Sequence, residues 1–113
     1  MKILVVDDEK SVISSITDIF DNNEVYAFQN PELALSAIKD GCEYDIIIMD
    51  YRMHRVNGLE LLKEIKKRSS SYKAILLTAY STEQILEEGI NKGLFNHIIK
   101  KAFDPDDLKI TVE

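Results

Sequence analysis

Short apolar runs recur along the chain, and between them the apolar residues change to spacings of three and four. KILVV (2–6) is continuous and rich in β-formers, whereas SVISSITDIF (11–20) sets Val12, Ile13, Ile16, Ile19 and Phe20 on one helical stripe. A strand followed by an amphipathic helix is expected. EVYAF (24–28) reads as a second strand. Asn30-Pro31 reads as an N-cap with proline at the first helical position, opening a helix with Leu33, Ala34, Ala37 and Ile38 inward and Gly41 at its end. YDIIIM (44–49) is a third strand, Gly58 precedes a helix carrying Leu59, Leu62 and Ile65, and KAILL (73–77) is a fourth strand. STEQILEEGINKG (81–93) predicts a helix capped by Ser81 or Thr82, with Ile85, Leu86 and Ile90 buried and Gly93 at the stop. FNHIIK (95–100) is a fifth strand, and DPDDLKITVE opens a last helix with Asp104 as cap and Pro105 at the first position.

Five strand–helix repeats with near-continuous apolar strands predict an α/β fold, a doubly wound five-stranded parallel sheet covered by helices on both faces. A flavodoxin-like (βα)5 arrangement has strand order 2-1-3-4-5. The 113 residues predict one domain, 1–113. The last helix, from about 104, is shorter than the others and ends in TVE without a cap. Its expected state is truncated, the chain being a fragment or lacking its natural end.

Composition narrows the class. The 45% apolar and 30% charged content with four glycines is that of an ordinary globular protein, and every apolar run falls short of the roughly 18 residues that a membrane span requires. MKILVVDDEK lacks the long apolar stretch and cleavage site of a signal peptide, so a cytoplasmic location is expected. A lone Cys42, in a turn between Gly41 and Glu43, agrees with a reducing compartment and reads as inert. The net charge of −6 (14 basic, 20 acidic residues) disfavours direct nucleic-acid binding.

Chemistry gathers where the strands end. In open doubly wound sheets ligands bind beyond the carboxyl ends of the strands, at the point where strand order reverses. Strand one ends in Asp7 and Asp8 with Glu9 next, strand three in Asp50, strand four in Thr78, and strand five in Lys100 and Lys101. With strands one and three adjacent, Asp7, Asp8 and Asp50 meet. Three carboxylates in one crevice repel, and a hard divalent cation such as Mg²⁺, which prefers oxygen ligands and retains waters, relieves that repulsion. Phosphoryl transfer needs a nucleophile, charge neutralisation and donors for the oxygens in flight. Asp50, the metal, the Thr78 hydroxyl and a lysine ammonium supply those parts.

On these residues the chain resembles the receiver domains of two-component response regulators over essentially its whole length. The acidic pair after strand one is matched by Asp7 and Asp8, and the phosphoacceptor after strand three by Asp50. The Asp-x-x-Met-Pro-x-x-x-Gly run is matched by DYRMHRVNG with Met53 and Gly58 in place, and the Thr/Ser after strand four by Thr78, followed by the small Ala79. The resemblance implies Mg²⁺ (with Mn²⁺ as a substitute) held by Asp7, Asp8, Asp50 and the backbone carbonyl of Arg52. It implies transfer of a phosphoryl group from a histidine kinase or phosphotransfer protein to Asp50, followed by loss to water. The domain then acts as a signalling switch that catalyses its own phosphorylation, read out on the face made by the fourth helix, the fifth strand and the fifth helix. Arg52 and Tyr80, two residues past Asp50 and Thr78, line the access route, and His97 occupies the position of an aromatic residue that swings inward.

Two features depart from the family. Counting the usual 22 residues from Thr78 gives Lys100 as the active-site lysine, whereas aligning the Lys-Pro-Phe triplet on Lys101-Ala102-Phe103 gives Lys101. The count favours Lys100, because the preceding helix and strand then need no insertion. Two family prolines are also absent, one replaced by His54 and the other by Lys101 or Ala102. A cis bond before a non-proline residue costs about 3 kcal/mol, so a trans bond or a local rearrangement is expected after the lysine. His54 and His97 lack the accompanying soft ligands of a transition-metal site, and Met49 and Met53 read as core filling. Two other readings are a pseudo-receiver that binds partners without phosphorylation, and a phosphatase with an Asp nucleophile on strand one. The latter family uses Asp-x-Asp, whereas Asp7 and Asp8 are adjacent.

Overall fold

The apolar runs pair side by side, as their length and continuity require. The computed structural model describes residues 1–53, 57–68, 71–79, 93–101 and 104–112. Strands β1 (Lys2–Val6), β2 (Glu24–Phe28), β3 (Ile46–Asp50), β4 (Lys73–Thr78) and β5 (His97–Lys100) form one sheet in the order β2-β1-β3-β4-β5. Every pairing is parallel, with Val6 opposite Met49, Asp50 opposite Leu77 and Thr78 opposite Lys100. The helices described are α1 (Lys10–Ile19), α2 (Pro31–Lys39), α3 (Gly58–Lys66) and α4 (Pro105–Val112). The helix expected over 81–93 lies outside the described residues as far as residue 92, and Gly93, its expected stop, has φ +65°.

Alternation along the buried strands divides the core in two. Ile3, Val5, Ile46, Ile48, Ile75 and Leu77 face one side, where they pack with Ile16 and Phe20 and with Leu108 and Val112 of α4. Leu4, Val6, Ile47, Met49, Ala74 and Leu76 face the other, against Ala34 and Ile38 of α2 and Leu59, Leu62 and Ile65 of α3. A sheet buried on both faces explains why its central strands read as unbroken apolar runs. None of the described helices is long and apolar enough to cross a membrane.

Two expected caps are present among the described residues, and that of Ser81 or Thr82 lies outside them. Asn30 Oδ1 accepts from the Glu32 amide at 2.9 Å ahead of Pro31, and Asp104 Oδ1 accepts from the Asp106 amide at 2.9 Å ahead of Pro105. Gly41, at φ +95°, closes α2 in a backbone region that disfavours side chains. Three local expectations change. Leu33 points outward and is 58% exposed, while Leu35 takes a half-buried place against the core. Strand β3 starts at Ile46, because the Asp45 carboxylate turns back to accept from the Lys2 amide at 2.8 Å. Strand β5 starts at His97, because the Asn96 side chain accepts from the Ala74 amide at 2.8 Å where a strand carbonyl would otherwise do so.

Candidate functional site

Polar residues gather at the carboxyl ends of β1, β3, β4 and β5. Asp7 follows β1 and its amide still donates to the Phe28 carbonyl at 3.1 Å, so the backbone holds it as rigidly as the strand itself. Its side chain is fully buried. Oδ1 accepts from the Glu9 amide at 2.9 Å and from Lys101 Nζ at 3.4 Å, whereas Oδ2 has no hydrogen-bond partner. Asp8 is exposed at the rim. Asp50 ends β3, 2% exposed, with its Oδ2 3.1 Å from Lys101 Nζ. Thr78 ends β4, also 2% exposed, and its carbonyl accepts from the Lys101 amide at 2.8 Å.

The crevice lysine is Lys101. Lys100, which the residue count favours, is exposed and in register with Thr78, and successive strand side chains point to opposite faces, so two adjacent lysines cannot both enter. The residue by which this chain exceeds the family spacing therefore falls between Thr78 and Lys101 and not in the following loop. The same shift moves the position three before the lysine from His97, which is exposed at the start of β5, to Ile98, half-buried against the core. The bond after Lys100 is trans, and the bond after Lys101 leads out of the described residues.

Arg52 is exposed and bridges to Asn57 across the loop after β3. Met49 is buried and Met53 packs against the core, as expected for filling residues. Tyr80 and His54 lie outside the described residues. One participant was missed by the sequence reading: the Glu9 carboxylate is ion-paired with Lys101. Its only signal in the sequence is adjacency to Asp7-Asp8.

The electrostatics follow from burial. Asp50 is pushed up to about 6, first by burial and then by the Asp7 charge, with Lys101 pulling it down and Asp8 adding a smaller upward push. Asp7 is raised mainly by burial, against the Glu9 amide and Lys101. Burial disfavours the charge on Lys101, but hydrogen bonds to Glu9 and Asp50 and the charges of Asp7 and Asp50 outweigh it and raise the ammonium. Carboxylate oxygens of Asp7, Asp8 and Asp50 lie within 4.8 Å of one another. All-oxygen donors, excess negative charge and a buried Asp7 Oδ2 without a partner fit a hard divalent cation.

Chains of similar sequence and fold are known. The family profile of the response regulator receiver domain matches residues 3–113. Regulatory protein AtoC of Escherichia coli is 32% identical over 99% of this chain, which covers 24% of that protein. Sporulation initiation phosphotransferase F of Bacillus subtilis is 27% identical over 99% of this chain and 90% of its own length. The BeF3-activated receiver domain of DrrB, a Thermotoga maritima protein, superposes with a TM-score of 0.87 at 26% identity, covering 98% of this chain and 92% of that one. The chain spans half or less of the length of AtoC and of the first Bacillus subtilis regulators it matches. With the acidic crevice at the strand ends and a profile match over nearly its whole length, the chain belongs to the response regulator receiver domain family.

Proposed function

We propose that Asp50 is the phosphoacceptor of a cytoplasmic signalling switch, with a phospho-histidine of a sensor kinase or phosphotransfer protein as donor. The observation that carries this is the buried Asp50 carboxylate, flanked by Asp7 and Asp8 and bonded to the Lys101 ammonium at 3.1 Å. A carboxylate oxygen of Asp50 attacks phosphorus, the P–N bond breaks with its electron pair returning to the donor imidazole, and an acyl phosphate forms. Water then attacks phosphorus, the P–O bond to Asp50 breaks, and inorganic phosphate leaves. Mg²⁺ held by Asp7, Asp8, Asp50 and the Arg52 carbonyl would neutralise charge on the phosphoryl oxygens. Lys101 and the Thr78 hydroxyl serve as donors to those oxygens. The added charge at Asp50 draws both donors inward and biases the loops after β3 and β4 between two arrangements. The readout face is built on β5 and α4 together with the helix expected from the sequence over 81–93.

Incubation with Mg²⁺ and acetyl phosphate or phosphoramidate is expected to add about 80 Da to the intact mass of the wild type and nothing to Asp50→Asn. No gain with either donor, or a gain that survives in Asp50→Asn, sinks the assignment. Mg²⁺ affinity, measured by calorimetry, is expected to fall at least about tenfold in Asp8→Ala, which loses an oxygen ligand. Unchanged affinity would put the cation elsewhere.

A further inference from the structure

Glu9 is the N-cap residue of α1, with φ −96° and ψ 116°, yet its side chain makes no capping bond. Glutamate is a poor choice there, since short side chains such as Asp, Asn and Ser reach the free amides of the first turn. Its carboxylate instead holds the Lys101 ammonium, while its amide donates to Asp7 Oδ1 at 2.9 Å. An ammonium has three donors and no acceptor. All three of Lys101 have carboxylate partners, Glu9, Asp50 at 3.1 Å and Asp7 at 3.4 Å. A new oxygen at Asp50 can be bonded by Lys101 only when one of these is released.

Burial decides which partner goes. Asp7 has a side chain 0% exposed, so losing the ammonium would strand its charge away from water, whereas Asp50 passes its charge to the phosphoryl oxygens when the acyl phosphate forms and Lys101 has to follow it there. The side chain of Glu9 is 56% exposed, and water replaces the lysine at little cost. We infer that Glu9 is a positioning residue that tethers Lys101 in the unphosphorylated state, through the Glu9–Lys101 ion pair at the start of α1, and opposes its transfer to the phosphoryl oxygens. This rests on Asp50 being the phosphoacceptor. The tether shifts the balance between the two arrangements by the difference in its strength between them and no more.

The probe is beryllofluoride, an acyl-phosphate mimic, titrated by amide chemical shifts at saturating Mg²⁺. Glu9→Gln removes the charge, while Glu9→Asp keeps the charge but shortens the reach by one methylene. Both are expected to bind beryllofluoride about two- to fivefold more tightly than wild type, the range for an exposed ion pair. Neither is expected to bind Mg²⁺ alone more tightly, which separates release of Lys101 from a general gain of the folded site. A Glu9→Asp protein that matches wild type would show that only the local field acts, and would overturn the tether. Unchanged or weaker binding in both variants would do the same. If wild type binds no beryllofluoride, or Asp50→Asn binds it equally well, the phosphoacceptor reading falls and the tether with it.

Discussion

Asp50→Asn is expected to stabilise the metal-free protein at pH 7 by roughly 1–3 kcal/mol, the opposite of what removing a buried ion-paired residue usually does. The reason is the direction of the shift. Asp50 is 2% exposed and its folded value lies near 6 against an ordinary 3.8, so burial and the Asp7 charge outweigh the attraction of Lys101. Each pKa unit corresponds to about 1.4 kcal/mol of preference for the protonated form. Between pH 4 and 6 the folded chain binds more protons at this site than the unfolded chain, and stability therefore falls as pH rises. The contribution is fully present below about pH 4 and is lost as pH passes through about 6. Urea unfolding in EDTA at pH 5 and pH 7 reads the effect as a difference between wild type and Asp50→Asn, because other carboxylates titrate in both. Wild type should lose more stability over that interval, and Mg²⁺ should restore it at pH 7 by binding the ionised cluster. Equal pH profiles would show that Asp50 carries no such strain.

Gly58→Ala is expected to destabilise the fold by roughly 2–3 kcal/mol, although alanine is the better helix former by up to about 1 kcal/mol. Gly58 opens α3, its amide donating to the Tyr51 carbonyl at 2.6 Å and its predecessor Asn57 capping the Glu60 amide at 2.9 Å. A Cβ here would collide with the Asp50 carbonyl oxygen and stand 3.0 Å from Met49 Cγ and 3.1 Å from Leu76 Cδ1. Backbone and buried core cannot move aside as a surface side chain would. Relief must come from shifting α3 or the end of β3. The melting temperature should drop on the order of 10 °C, and the variant should also accept phosphate more slowly, because the carbonyl being displaced belongs to Asp50. A melting temperature at or above wild type would show that α3 is free to move.

Much of this was legible in the residues because the central strands are buried on both faces. Ile3 to Val6, Ile46 to Met49 and Ala74 to Leu77 could not be so continuously apolar in a sheet with one wet face. The acidic residues that end β1 and β3 stood out for the same reason, as charges stopping apolar runs. What the residues alone did not disclose depends on register and approach. Lys100 ends β5 and Lys101 follows it, and a residue count across the intervening segment cannot say where one extra residue is absorbed. Leu33 and Leu35 on α2 pose a similar ambiguity, since a short helix with apolar residues on several sides admits more than one inward stripe. The role of Gly58 in letting α3 approach Asp50 is visible only once the helix is seated against the strand.

The sheet order also distributes the charges unequally. The carboxylates stand on β1 and β3, inner strands whose residues are almost all inaccessible, whereas the ammonium follows β5, a four-residue edge strand with both ends exposed. Local opening draws on the least stable parts of a fold, so the backbone that carries the cation is expected to open more readily than the backbone that carries the anions. Asp50 is fixed to the frame, and Lys101 is carried just past its margin. The amide of Asp50 is expected to exchange more slowly than those at the exposed ends of β5 in the same folded molecule.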